Sequence, residues 1–177
     1  MKKRLFNFGA ILLIAGFSNN VMAQNEASAS SDAFATVVAP IGIAHNGTDL
    51  EFGTMIKGIG TVTIPTSGPR TFSNSALNPG DQGVAPTPAV FTVTGEGAYT
   101  YSIAFTSPTE TLTNPGSQTM IAGTFIALSA DGEGLTGTLS SGTDTVTVGA
   151  TLTLDDDETA GIYAGSFEVT VAYNSNL

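Results

Sequence analysis

The sequence has no cysteine, no tryptophan and a single histidine. Without cysteine there are no disulfides and no thiolate metal sites, so stability must come from packing or from association with other chains. A Ser–His–Asp triad would need His45, which lies beside Asn46-Gly47 with no nucleophile motif in the sequence. No pair of acidic residues stands out for glycoside hydrolysis. We therefore predict no catalytic residues and no enzymatic activity, and a hydrolase that uses His45 is the least favoured alternative.

Positive charge is scarce and is concentrated at the N-terminus. Basic residues at positions 2–4 precede an apolar stretch at 8–17 and a small residue, Ala23. This pattern is typical of a secretory signal peptide, residues 1–23, whose apolar stretch is too short to span a bilayer. Its removal would lower the formal net charge from −10 to −13. So acidic a protein is expected to bind no nucleic acid and to insert in no membrane.

Apolar repeats at helical spacing are also missing. Thr, Val, Ile and Phe are abundant, and 21 Gly and 8 Pro interrupt them, which predicts an all-β protein. We predict a flexible extension at 24–34 and then one domain, residues 35–177, folded as an antiparallel immunoglobulin-like β-sandwich. Asn46-Gly47 is predicted as a hairpin turn and 66–88 as a surface loop. The strands are predicted at 33–43 (extended), 50–53, 59–64, 89–94, 99–105, 119–128, 135–139, 145–154 and 162–173.

Four consecutive acidic residues follow the strand predicted at 145–154. They are Asp155, Asp156, Asp157 and Glu158. Oxygen ligands of this kind can hold calcium, but the known calcium-loop pattern alternates its ligands around a central glycine. We predict a solvated acidic turn, with calcium as the weaker alternative and no other cofactor.

The last predicted strand alternates apolar and polar residues, which indicates one buried face. No later segment is available to pair with its outer edge. The N-terminal extension, about 24–39, carries small apolar residues at alternate positions after a polar start. The two features are complementary, since an extended segment of one chain can pair with an exposed strand edge of another.

Four segments carry a resemblance to a known family: "VVAPIGIAHNGTDLEFGTMIKGIGTVTI", "PAVFTVTGEGAYTYSIAF", "TVTVGATLTL" and "GIYAGSFEVTVAYN". Together they resemble the secreted bacterial family called domain of unknown function 4402 (DUF4402). The second and fourth are also similar to spore coat protein U type domains, a group that includes subunits of archaic chaperone–usher pili. The resemblance extends from about Ala35 to Asn174.

The pilin resemblance implies an exported structural subunit of a surface filament or fimbria, in which the sandwich lacks its last strand and a neighbour's extension fills the groove. It implies a place in the periplasm, at the cell surface or in an extracellular filament of a bacterium. The implied partners are other copies or related subunits, and a periplasmic chaperone. The implied donor residues are Ala33, Ala35, Val37 and Ala39, and the implied acceptor edge is Phe167, Val169, Val171 and Tyr173.

Two departures from the pilin pattern leave an alternative open. The extension is rich in Ala and Ser rather than large aliphatic residues, and the chain cannot form the disulfide that many pilins carry. In the alternative, residues 33–43 pair with 162–173 of the same chain and close the sandwich. The protein would then be a monomeric secreted binding or cell-adhesion module for a polysaccharide or surface partner, with the 66–88 loop as its binding surface.

Overall fold

The computed structural model describes residues 26–80 and 82–175. The predicted signal peptide, 1–23, lies outside this part of the chain. Two units meet at the Thr36–Val37 bond. In the first, residues 26–36 carry no helix or strand and are exposed. No helix in the described ranges is long and apolar enough to cross a membrane.

The second unit is built from antiparallel strands. Residues 37–80 and 82–175 contain eleven strands and one 3₁₀ turn, Ser75–Leu77. The strands form two sheets arranged as a sandwich, which confirms the predicted all-β fold. The strands are β1 (Gly42–Thr48), β2 (Gly60–Ile64), β3 (Thr71–Phe72), β4 (Ala89–Thr94), β5 (Thr100–Phe105), β6 (Thr109–Thr113), β7 (Thr119–Ser129), β8 (Gly132–Glu133), β9 (Thr136–Thr138), β10 (Thr143–Leu154) and β11 (Val169–Tyr173).

The larger sheet is organised around β10. One edge of β10 pairs with β7, and the other pairs first with β4 and then with β2. Strand β1 continues the sheet beyond β4, β3 beyond β2, and β6 and β8 beyond β7. The change of partner occurs at Gly149, between Val148 opposite Ala89 and Ala150 opposite Ile64. Only glycine fits there, because the Ile64 carbonyl occupies the place of a side chain.

The smaller sheet, in the order β11-β5-β9, covers one half of the larger one. Its inward residues Tyr101 and Ile103 pack with Val93, Val146 and Val148 of the larger sheet, all buried. One polar bond lies inside this core: the Tyr101 hydroxyl donates to Asp144 Oδ2 at 2.7 Å. Burial and this bond raise the pKa of Tyr101 above its ordinary value, because both disfavour the phenolate.

The other half of the larger sheet is covered by loops rather than by strands. A second core cluster gathers residues of β2 and β10 with Phe52 and Leu77. Leu77 belongs to the segment predicted as a surface loop, yet it has no exposed surface. That prediction is wrong for this part, since Asn74 caps the 3₁₀ turn by accepting from Ala76 N–H and the turn inserts Leu77 into the core.

One turn prediction and two strand predictions also need correction. Asn46-Gly47 is not a hairpin turn but a bulge inside β1, where the register shifts between His45 and Thr48 and Gly47 has a φ of +78°. Residues 50–53 form one isolated bridge, Glu51 with Thr87, instead of a strand. The C-terminal strand begins at Val169 rather than at 162, because residues 158–167 lie against the open half of the large sheet, where Ala164 bridges to Thr113 of β6.

Candidate assembly site

An open groove lies over the half of the large sheet that the small sheet does not cover. Its volume is about 980 Å³. The floor is apolar and is formed by side chains of β7 and β10, including Ala122, Phe125 and Leu152. The walls are the two irregular segments 49–57 and 158–167. The groove is therefore a continuation of the sandwich interior that no strand of the described chain closes.

A row of aromatic rings forms one end of this groove. Phe167 stacks on Phe125 with ring centroids 5.2 Å apart and meets Phe91 edge to face at 6.0 Å. Phe125 also stacks on Phe105 at 5.2 Å. All four rings are only partly buried. Phe167, predicted as an acceptor residue, thus lies in the groove itself, just before β11.

The other three predicted acceptor residues lie on β11, at the edge of the small sheet. Thr106 N–H donates to Glu168 O, and Asn174 N–H donates to Thr100 O. In an antiparallel ladder such pairs alternate, so the even-numbered residues of β11 face β5 with their backbone groups. The N–H and C=O groups of Val169, Val171 and Tyr173 therefore point away from β5. Within residues 37–80 and 82–175, no strand pairs with that edge.

The side chains of β11 follow the predicted alternation. Val169 is buried and Val171 and Tyr173 are half-buried, whereas Thr170 and Ala172 are exposed. The residues whose backbone groups face the free edge are thus the ones whose side chains face the core. A strand added at this edge would continue the small sheet over the core.

The predicted donor residues occupy the segment before β1, which carries no helix or strand. Ala33 and Ala35 are exposed residues of the first unit, and Val37, in the second, is 94% exposed. Ala39 is anchored through its backbone: its N–H donates to Glu96 Oε2 at 3.0 Å, and its carbonyl accepts from the Tyr173 hydroxyl at 2.9 Å.

The alternative, in which residues 33–43 pair with the C-terminal strand of the same chain, is wrong for the strand residues of this segment. Gly42 and Ile43 pair with Thr94 and Val93 of β4, so the first strand joins the larger sheet. Among the described residues, the hydrogen bond between Ala39 and β11 comes from the Tyr173 side chain.

The acidic run lies directly after β10 and differs from the predicted turn in one residue. Asp155, Asp156 and Asp157 are exposed, as predicted. Glu158 is buried, with 5% of its surface exposed. It lines the groove at the opposite end of the 158–167 wall from Phe167. The prediction of a fully solvated turn is therefore wrong for Glu158.

His45 makes local contacts. Its Nε2 lies 2.9 Å from Thr48 O and 3.4 Å from Asp49 Oδ1, and its ring packs edge to face on Phe91 at 5.5 Å. These contacts hold the ring at the rim of the groove, across the bulge of β1. The imidazole nitrogen therefore contacts residues at the end of β1, the strand that carries His45.

The comparison with protein families identifies one match. The model of the family described as Domain of unknown function (DUF4402) matches residues 41–173. No curated protein and no solved structure gave a significant match. The matched residues cover about three quarters of the chain and run from the residue before β1 to the end of β11. The groove and the free strand edge thus lie inside the matched region, and the chain belongs to the DUF4402 family.

Proposed function

We propose that this protein is an exported structural subunit of a surface filament, and that its copies join by donating a β-strand. The extension of one copy pairs with the free edge of β11 in the next copy and covers its open groove. The observation that carries this proposal is the free edge of β11, where three residues present backbone groups that pair with no described strand, directly after Phe167 of the open groove. Family membership alone does not supply it, because the family is defined without a function.

The backbone of β11 supplies the attraction in this proposal. Strand addition at an edge gains main-chain hydrogen bonds, and alternate side chains of the added strand fill pockets of the acceptor. Val169, Val171 and Tyr173 offer three N–H and three C=O groups in register. Uncovered edges of this kind are aggregation-prone, which is why folded proteins normally cover or interrupt them. Before assembly, a periplasmic chaperone that pairs with the same edge would protect it.

The extension supplies the apolar side chains. Phe34 and Val37 are 93% and 94% exposed. In an extended strand these two side chains point to opposite faces, and Val37 shares its face with Ala33 and Ala35. Burying Val37 in a neighbour's groove would contribute roughly 1.5–3 kcal/mol. Small residues at Ala33 and Ala35 allow the donated backbone to lie close to the acceptor. Ala39 stays with its own copy, since Glu96 and Tyr173 hold its backbone, so the donated residues end at about position 38.

The proposal is tested by blocking the acceptor edge. Val171→Pro removes an N–H that points to the free edge, a position where edge strands tolerate proline. Val171→Ala is the matched control, because it also loses the half-buried side chain but keeps the N–H. We expect wild type and Val171→Ala to form polymers, and Val171→Pro to stay monomeric, in light scattering after size exclusion. Equal polymer formation by the two variants would contradict the acceptor assignment.

A complementation experiment tests donor and acceptor together. A variant that lacks residues 24–36 keeps the acceptor edge but has no donor, whereas Val171→Pro keeps the donor. Neither should polymerise alone, and an equimolar mixture should give dimers that do not grow. Polymers formed by the deletion variant alone would overturn the donor assignment.

The groove also supports a second candidate function. Its volume of about 980 Å³, its apolar floor and Lys57 among its lining residues would suit a bound ligand of a monomeric adhesion module. In this case the groove, rather than the 66–88 loop, would be the binding surface, because Leu77 of that loop is part of the core. A wild-type protein that stays monomeric at every concentration would favour this function.

A further inference from the structure

The acidic run after β10 gathers three carboxylates at one point. One carboxylate oxygen from each of Asp155, Asp157 and Glu158 lies within 4.8 Å of the others. Carboxylates brought this close repel one another unless a cation lies between them. Only Lys57 and Arg70 carry positive side chains in the chain after position 23. Among the described residues, the one ion pair within 4.0 Å joins His45 to Asp49, so no protein cation pairs with these carboxylates.

Glu158 supplies a second, independent observation. Its carboxylate is buried, and Oε1 accepts a hydrogen bond from the Asp155 N–H. Its other oxygen, Oε2, is buried without a partner among the described residues. An unpaired buried carboxylate oxygen is unfavourable, and in folded proteins such an atom usually marks a bound water or ion. Here the unpartnered oxygen belongs to Glu158, whose carboxylate is one of the three that lie close together.

The backbone of this turn is fixed from outside the acidic run. The Gln118 side chain donates to Asp157 O at 2.8 Å and accepts from Thr159 N–H at 2.6 Å. Asn114 Nδ2 donates to Thr159 Oγ1 at 3.1 Å. These amides belong to the turn between β6 and β7. The Asp155 and Asp157 carboxylates make no hydrogen bonds to described residues. A ligand could therefore bind without reorganising the turn.

We infer that Asp155, Asp157 and Glu158 form a calcium-binding site. Calcium takes six to eight oxygen ligands at about 2.3–2.6 Å, so two of its ligands can be up to roughly 5 Å apart, which fits the observed spread. Water and backbone carbonyls would complete the shell. Magnesium fits less well, because it demands a shorter and near-ideal octahedral shell. A calcium ion would tie the end of β10 to the 158–167 wall of the groove.

The test is thermal unfolding of the purified protein with calcium chloride, against sodium chloride of equal ionic strength. Calcium sites of extracellular modules bind at about 10⁻⁴–10⁻³ M. At about 5 mM calcium we expect the unfolding midpoint to rise by roughly 3–8 °C and to fall back when a chelator is added. Magnesium at the same concentration should give less than half of this shift.

Two substitutions locate the site, and one control separates it from general screening. Glu158→Gln and Asp157→Asn should each abolish most of the calcium shift, and the exposed position of Asp157 guards against loss of folding. Asp156→Asn removes an adjacent carboxylate outside the cluster and should keep the shift. The inference is overturned if wild type shows no calcium shift, or if Asp156→Asn loses as much as Glu158→Gln. Measured in the Val171→Pro background, which is expected to stay monomeric, the calcium shift is read separately from strand donation.

Discussion

The two halves of the large sheet are built from the same long strands but covered in different ways. Over one half lies a hydrogen-bonded sheet, and the core beneath contains Tyr101, Val146 and Val148 without exposed surface. Over the other half lie only irregular segments, and Phe125, Leu112 and Met120 remain partly exposed along the groove. The first half has the properties of a completed core. The second has those of a binding surface, because its apolar side chains still have area to bury.

The difference shows where stability and function are separated in this fold. A covering sheet of strands supplies both apolar contacts and a regular set of backbone hydrogen bonds. A covering of loops supplies contacts only at separate residues, such as Leu77 and Arg70, and leaves gaps between them. Substitutions in the two halves should therefore have unequal effects on stability.

The largest expected effect comes from truncating the same residue type in each half. Leu139→Ala, in the covered core, removes a side chain with no exposed surface and should lower the free energy of unfolding by about 2–5 kcal/mol. Leu112→Ala, in the groove, removes a half-buried side chain and should cost about 1 kcal/mol. Urea denaturation measures both. Equal costs would mean that the groove is as well packed as the core.

The next effect concerns the polar bond in the covered core. Tyr101→Phe removes the donor to Asp144 and should cost about 1–2 kcal/mol near pH 7. Because the pKa of Tyr101 is raised in the folded protein, its contribution is complete below pH 10 and is lost as the pH rises further. Denaturation at pH 8 and pH 11 should show the wild type losing more stability than Tyr101→Phe. Parallel losses would contradict the raised pKa.

The smallest effect concerns an anchor of the loop-covered half. Arg70 Nη1 donates to the carbonyls of Phe52 and Thr54, and the guanidinium lies 4.6 Å from the centre of the Phe72 ring. Arg70→Met should lower stability by about 1 kcal/mol and speed amide hydrogen exchange at 49–57. Lys57→Met is the control, because it removes an exposed cation from the same acidic protein and should change neither quantity.

The sequence predicts the central strands well and the edges poorly. Strands β4, β5, β7 and β10 lie within two residues of their predicted bounds, because strong apolar alternation and clear turn residues mark them. The alternation gives no sign of β6, since Leu112 is the only apolar residue among five. Asn46-Gly47 has the chemistry of a hairpin turn, but tertiary pairing of β1 with β4 places it in a bulge. The local sequence does not show whether Asn46-Gly47 forms a turn or a bulge.

The candidate site is predictable in part. The inward face of β11 follows from alternation, and the acidic run is visible in the sequence. Burial of Glu158 is not predictable, because the residues on either side of it are held by the Gln118 amide of the distant β6–β7 turn. The groove is not predictable either, since it arises where the small sheet ends over the large one. Insertion of Leu77 has no periodic signal, because polar residues and a proline surround it in the loop: Asn74, Ser75, Asn78 and Pro79.

Strand β10 passes beneath both halves and changes its partner at Gly149 without a break. One continuous strand cannot detach from the closed core and stay in place under the open one. The two cores should therefore melt in a single cooperative transition, so occupancy of the groove would raise the resistance of the entire domain to heat, proteolysis and mechanical load.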